Sequence, residues 1–343
     1  MLMLKSKLYG ALYGAALGDA MGATTEFCTQ TQIKEQFNNR LESLEQSISF
    51  ITHGIIPGSV TDDFSASIYL MRSILNSNGV FNEEVSEQAL LDWSKDDYYF
   101  KRFSGANTKK AVDMIESGVR PGLIESKRNY LGENTNGAAM KSSPIAMLGL
   151  LDSSQLLQWS LNLCMPTHFN SSAVSGTCAV IYATYEALTE NSSIDSVLKA
   201  GLLGAREGNE AMQKLNRISP SADVATRIER AIEDAKKISS REERIEYIYN
   251  FTGTGISVTE SIVAVFAIIA SVSDDPMEGI FTAINSGGDT DTIASITGAI
   301  LGALNGFDSL NEGLLNQVVQ VNESLEIKQT IERYVEMILT GGI

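Results

Sequence analysis

Two short segments hold most of the residues that could do chemistry, SVTDDFSASIYLM at 59–71 and NSGGDTDTIASITGAILGA at 285–303. Each opens on small residues, passes through threonine and aspartate, and runs into an apolar helical pattern. A helix start takes an oxygen cap and favours acids in its first turn, so Thr61 or Asp289 taken singly reads as an N-cap. One cap needs one oxygen, whereas Thr61, Asp62, Asp63 and Asp289, Asp291, Thr292 together supply four carboxylates and two hydroxyls. If the two helix starts face one another, the acids repel, and burying them is costly unless cations join them. Hard divalent cations prefer such oxygen donors, and two of them close together can activate water and hold substrate hydroxyls.

Three further segments offer candidates. Glu26 ends GDAMGATTEF and is either a third contributor to the same cluster or a solvated acid, while Asp19, further inside that helix, reads as structural. In NTNGAAMKSSP at 134–144, amides around Asn136, Gly137 and Ala138 could receive a phosphate as helix starts do, or form an ordinary polar turn. In PTHFNSSAVSG at 166–176, His168 is either a satisfied structural histidine or a hydrogen-bond partner of a substrate. Asp96–Asp97 and Asp274–Asp275 read as turn or surface acids. There is no GxxxxGK[ST] or GxSxG, and GTG at 253–255 lacks the third glycine of a dinucleotide fingerprint, which makes it a loop before a helix.

Those segments need helices to position them. Gly10, Gly14, Gly18 and Gly22 fall four apart beside Leu4, Leu8, Leu12 and Ala16, and Ala294, Gly298, Gly302 and Gly306 repeat the pattern near the other end. Glycine inside a helix costs about 0.5–1 kcal/mol relative to alanine, so two stripes in register predict two helices packed closely together. Further helices are predicted at about 63–76, 83–93, 106–117, 143–150, 153–164, 172–189, 193–206, 222–238, 241–251, 257–272, 276–285, 311–319 and 325–340. Loops are predicted around 54–59, 118–136 and 216–221, the second long enough to reach over a cleft. No linker or change of composition divides the chain, so the expectation is one all-α domain over residues 1–343.

Composition excludes several classes. The 343 residues carry 42 acids against 26 lysines and arginines, a net charge of −16, which is a poor match to nucleic acid or to an anionic membrane surface. Three cysteines, Cys28, Cys164 and Cys178, form no CxxC pair and suggest neither a disulfide framework nor a thiolate zinc site, which favours a cytoplasmic setting. Two histidines cannot build an imidazole metal site, so any metal would be Mg²⁺, Mn²⁺ or Ca²⁺ on oxygen. The opening MLMLKSKLYGALYGAALGDA imitates a signal peptide, but its regular glycines mark it as a packed helix. The apolar run 262–270 is too short to span a bilayer and reads as a buried helix.

The ordered set GALYGAALGDAMGATTEF, TDD at 61–63, NGAAMK at 136–141, TH at 167–168 and SGGDTDTIASITGAILGALNG resembles the ADP-ribosylglycohydrolases, the family of the dinitrogen-reductase-activating glycohydrolase and the ADP-ribosylarginine hydrolases. The resemblance implies a single all-α domain with a central two-metal cleft holding Mg²⁺ or Mn²⁺. It implies Glu26, Thr61, Asp62, Asp63, Asp289, Asp291 and Thr292 as ligands, with Glu26, Asp62 and Asp289 in the catalytic group and Glu26 placing or deprotonating the attacking water. It also implies Asn136, Gly137 and Ala138 along the ADP-ribose, with His168 near a ribose or phosphate. Three positions depart from the family pattern: Phe64 stands where threonine is usual after TDD, Lys141 replaces arginine and loses its planar fork, and RFSGANT at 102–108 lacks the acid some members carry there.

The expected activity is therefore removal of ADP-ribose from an acceptor by a monomeric dimetal hydrolase, with ADP-ribosylated arginine on a protein leading. Hydrolysis of another ribosyl or ADP-ribosyl small molecule is the alternative within that class. A non-catalytic, metal-stabilised binding or structural protein of the same fold is the alternative outside it.

Overall fold

A computed structural model describes residues 2–121, 134–272 and 274–341; most of the predicted 118–136 loop lies outside them. Seventeen α-helices run along the described chain: α1 (Leu2–Gly22), α2 (Gln30–Gln36), α3 (Asp62–Asn76), α4 (Glu83–Ser94), α5 (Tyr99–Phe103), α6 (Ala106–Glu116), α7 (Ser143–Leu148), α8 (Leu156–Cys164) and α9 (Ser171–Leu188) come first. Then follow α10 (Ile194–Lys214), α11 (Val224–Ala235), α12 (Arg241–Tyr247), α13 (Ser261–Ser271), α14 (Pro276–Ser286), α15 (Thr290–Asn305), α16 (Glu312–Val321) and α17 (Ile327–Thr340). Among the described residues no strand forms, only two isolated bridges, Cys28 with Gly288 and Thr135 with Ser257. The all-α expectation holds. No described helix is long and apolar enough to cross a membrane.

The predicted pairing of the two glycine stripes is the axis of the molecule. A methyl group at Gly10 would lie 2.1 Å from the carbonyl oxygen of Gly302, one at Gly14 2.2 Å from that of Gly298, and one at Gly18 2.1 Å from that of Ala294. The order runs opposite along the two chains, so α1 and α15 are antiparallel and backbone touches backbone. α1 is buried from Gly10 to Gly22 and α15 from Thr290 to Ala303. α9, α13 and α14 pack against α15, while α3, α16 and α17 pack against α1. α13, apolar on every side, is buried from Ser261 to Ile269, as its sequence predicts.

The glycine contact has a measurable consequence. Gly14→Ala should gain about 0.5–1 kcal/mol of helix propensity but force the backbones apart at a cost of about 1–3 kcal/mol. The net expectation is a lower Tm in thermal unfolding. A raised or unchanged Tm would show that the stripe is not the close contact that holds the two helices.

Candidate active site

Antiparallel packing sets the C-terminal end of α1 beside the N-terminal end of α15. Gly22 makes this possible, since a side chain there would strike Asp291 Cα at 2.3 Å. Thr290 Oγ1 donates to the Gly22 carbonyl at 2.9 Å, and Thr25 Oγ1 donates to that of Ile284 at 2.7 Å, fastening the junction. α3 is brought to the same place by Asp19. Its carboxylate accepts from the backbone N–H of Thr61 at 3.0 Å and of Phe64 at 2.9 Å, and from Thr61 Oγ1 at 2.7 Å. A residue of α1 thereby caps α3.

Capping does not explain the other acids. Thr61 and Asp289 do occupy the N-cap positions of α3 and α15, yet neither side chain bonds to its own helix start. Thr61 Oγ1 faces Asp19 and Asp291, the latter at 3.3 Å, and Asp289 Oδ2 accepts from the Asn136 side-chain amide. Asp62, Asp63 and Asp291 each present a carboxylate oxygen, all within 4.8 Å of one another. Asp289 is in hydrogen-bonding contact with Asp291, and Thr292 Oγ1 reaches Asp63 Oδ2 at 3.3 Å. Asp63, Asp289, Asp291 and Glu26 are buried, and Asp62 is partly buried. Buried oxygens of three of these acids, Glu26 Oε2, Asp63 Oδ1 and Asp291 Oδ1, have no hydrogen-bond partner. Orphaned buried carboxylate oxygens of this kind are what a hard-cation site leaves for its ion, so the donor set fits divalent metal.

Burial and mutual repulsion push the carboxyls of Asp63, Asp289, Glu26 and Asp19 well above the ordinary range, and that of Asp62 to about 7. These values lie above those of the unfolded chain, about 4, so the metal-free folded protein binds more protons than the unfolded one. Its stability is therefore present at low pH and lost as pH rises from about 4 through about 7. In EDTA, the Tm should be lower at pH 8 than at pH 5.5. Mg²⁺ or Mn²⁺ should raise it more at pH 8, where the ligands are ionised. A Tm in EDTA that climbs with pH over this window would contradict the charge state assigned to the cluster.

One flank of the cluster is formed by the 134–141 segment. Its backbone pairs with 256–258 through Asn136 N–H to Ile256 O and Val258 N–H to Asn134 O, both 3.0 Å, and Asn136 Nδ2 also donates to Ser261 Oγ. The Asn136 backbone amide is thus occupied, and its side chain bears on the acid cluster instead. His168 is buried, and both ring nitrogens are engaged, Nε2 with Thr135 Oγ1 at 2.8 Å and Nδ1 with Thr167 Oγ1 at 2.7 Å. Burial pulls its pKa down to about 3, so the ring is neutral. It lies so close to Gly137 that a methyl there would meet Cε1 at 2.8 Å. Of the two readings of His168, this geometry matches the satisfied structural one. Lys141, its pKa lowered by burial to about 8, donates to Gly137 O at 2.8 Å and feels Asp62 and Asp63. Ala138 is fully buried beneath this turn.

The Phe64 ring is fully buried in the core. Asp96 accepts from Tyr69 Oη and from the N–H groups of Tyr98 and Tyr99 at the start of α5, and Asp97 pairs with Lys101 in solvent, a turn acid and a surface acid as predicted. Sequence reasoning missed the GTG segment's role: Thr254 O accepts from Asp289 N–H at 2.6 Å, and Gly288, at φ 77°, leaves no room for a side chain against Thr254. The paired glycines before Asp289 were the available signal.

An all-α fold in which two glycine-packed helices and a third helix start converge on a carboxylate cluster defines a known class. The ADP-ribosylglycohydrolase family model matches residues 2–342, and the chain belongs to that family of hydrolases acting on ADP-ribose linkages. It is 30% identical over 266 residues to YegU, an uncharacterized protein of Escherichia coli (strain K12), covering 77% of this chain and 76% of that one. It is 25% identical over 299 residues to ADP-ribosylhydrolase ARH3 of Homo sapiens, covering 80% and 78%. A solved structure named as an ADP-ribosylglycohydrolase-related protein complex superposes with a TM-score of 0.68 at 19% identity, over 98% of this chain and 100% of that one, which establishes the fold.

Proposed function

We propose that the chain is a dimetal-dependent hydrolase that cleaves the glycosidic bond between ADP-ribose and an acceptor, with arginine on a protein as that acceptor. The carrying observation is the facing set of buried, unpartnered oxygens on Glu26, Asp63 and Asp291. Two divalent cations, Mg²⁺ or Mn²⁺, would be held by Glu26, Thr61, Asp62, Asp63, Asp289, Asp291 and Thr292, and would supply Lewis acidity, a reactive water and a grip on the ribose hydroxyls. The chain's own part is positioning and proton handling. Breaking the bond at C1 of ribose passes through an oxocarbenium-like state, so a water must stand on one face while the ring is held still. Glu26, through the carboxylate oxygen it does not give to a cation, takes a proton from the water that adds to C1, and that proton passes to the acceptor nitrogen as the C1–N bond breaks. Asn136 donates to Asp289, and ADP-ribose would lie along the Gly137–Ala138 turn, to which Lys141 donates and against which His168 packs.

The test is release of free ADP-ribose from an arginine-ADP-ribosylated protein, measured with Mg²⁺, with Mn²⁺ and with EDTA. Metal-dependent release is expected. No release with either ion, by protein that still binds metal, would transfer the activity to another ribosyl substrate.

A further inference from the structure

Two phenylalanines are exposed on segments that adjoin Glu26. Phe50 is 78% exposed and Phe27 38%, with ring centroids 6.2 Å apart and planes inclined at 35°. Leaving an aromatic pair uncovered forgoes the burial that such rings normally supply, yet both are held firmly in place. Phe27 directly follows Glu26, adopts a left-handed φ of 55° that is unfavourable for a bulky residue, and donates its N–H to Gly288 O at 2.6 Å, next to Asp289. The segment carrying Phe50 is pinned on both sides of it to the residues that precede Glu26. Ser47 Oγ and Thr52 Oγ1 donate to Ala23 O, and Ile48 N–H donates to Thr24 O at 3.0 Å. Ser47, Ser49 and Thr52 are buried while the Phe50 ring is not.

We infer that Phe27 and Phe50 form the acceptor subsite, a platform for the planar cation of an arginine side chain; this rests on the reading of the cluster as the centre that cleaves ADP-ribose from its acceptor. An aromatic face attracts a guanidinium. Glu26, which directly precedes Phe27 and feels Asp62, Asp289 and Asp291, and the net charge of −16 favour a cationic partner. The lysine and arginine contacts to aromatic rings found among the described residues fall elsewhere, on Tyr9, Tyr69, Phe103, Phe169 and Phe281.

Binding of arginine methyl ester to the metal-loaded protein tests this without turnover, by titration calorimetry and by saturation transfer from the aromatic protons. Phe50→Ala and Phe50→Leu should each raise the Kd of the ester about two- to fivefold, and Phe50→Trp should keep it at the parental value. All three should leave the Kd of free ADP-ribose, which has no acceptor, unchanged. Because the ring is exposed, the Tm of each variant should match the parent. The proposal is overturned if the ester does not bind the parent, binds parent and Phe50→Ala equally, or if Phe50→Ala weakens ADP-ribose by the same factor. Failure of the parent to release ADP-ribose would instead count against the hydrolase reading, and the ester titration would still decide the subsite.

Discussion

Asp291→Asn should lower the release of ADP-ribose by about a thousandfold or more, equivalent to about 4 kcal/mol of barrier, while raising the Tm of the metal-free protein at pH 8. Asp291 is the electrostatic centre of the cluster. One of its oxygens lies within 4.8 Å of oxygens of Asp62 and Asp63, its charge acts on Asp289, and Thr61 Oγ1 donates to it at 3.3 Å. It is also among the groups that raise the carboxyls of Asp19, Glu26, Asp62, Asp63 and Asp289. Asparagine keeps the volume but removes a charge that repels five others and a donor that divalent cations require. A variant made more stable and less active by one substitution is the signature of charge stored for a ligand. Undiminished release, or a lowered Tm in EDTA at pH 8, would show that Asp291 serves the fold instead.

Asp19→Ala should have the opposite character. Its carboxylate satisfies the N–H of Thr61, the N–H of Phe64 and the hydroxyl of Thr61, all buried. Truncation leaves those donors without a partner and uncaps α3, which should destabilise the protein by about 3 kcal/mol or more, read as a drop of several degrees in Tm. Because Asp62 and Asp63 ride on the first turn of α3, metal affinity should fall as well. A variant with parental Tm and metal affinity would mean that α3 is placed by its packing on α4 and α17 alone.

The axis of the fold was legible because four-residue glycine spacing has few physical meanings, and the helix starts at 62 and 290 fell where their polar runs gave way to apolar ones. The short helices α2 and α5 were not anticipated. α10 continues to Lys214, beyond the predicted end near 206, because Gly208 packs against Cys178, as Gly204 does, rather than ending the helix. At the site, the acids were visible as residue types beside helix starts. Their partners Asp19, Asn136 and Thr254 were not assignable, because each acts across a large separation in sequence and no local pattern encodes that. His168 was ambiguous for the same reason: only the positions of Thr135 and Thr167 show that both nitrogens are taken.

Equilibrium binding of Mn²⁺, followed by electron paramagnetic resonance on the EDTA-treated protein, tests the central claim most directly. Two ions per chain are expected, close enough to couple magnetically, with the coupled signal lost in Asp291→Asn. A folded parent protein that takes up no Mn²⁺, or binds it equally well after Asp291→Asn, would contradict the assignment of the carboxylate cluster as a metal centre.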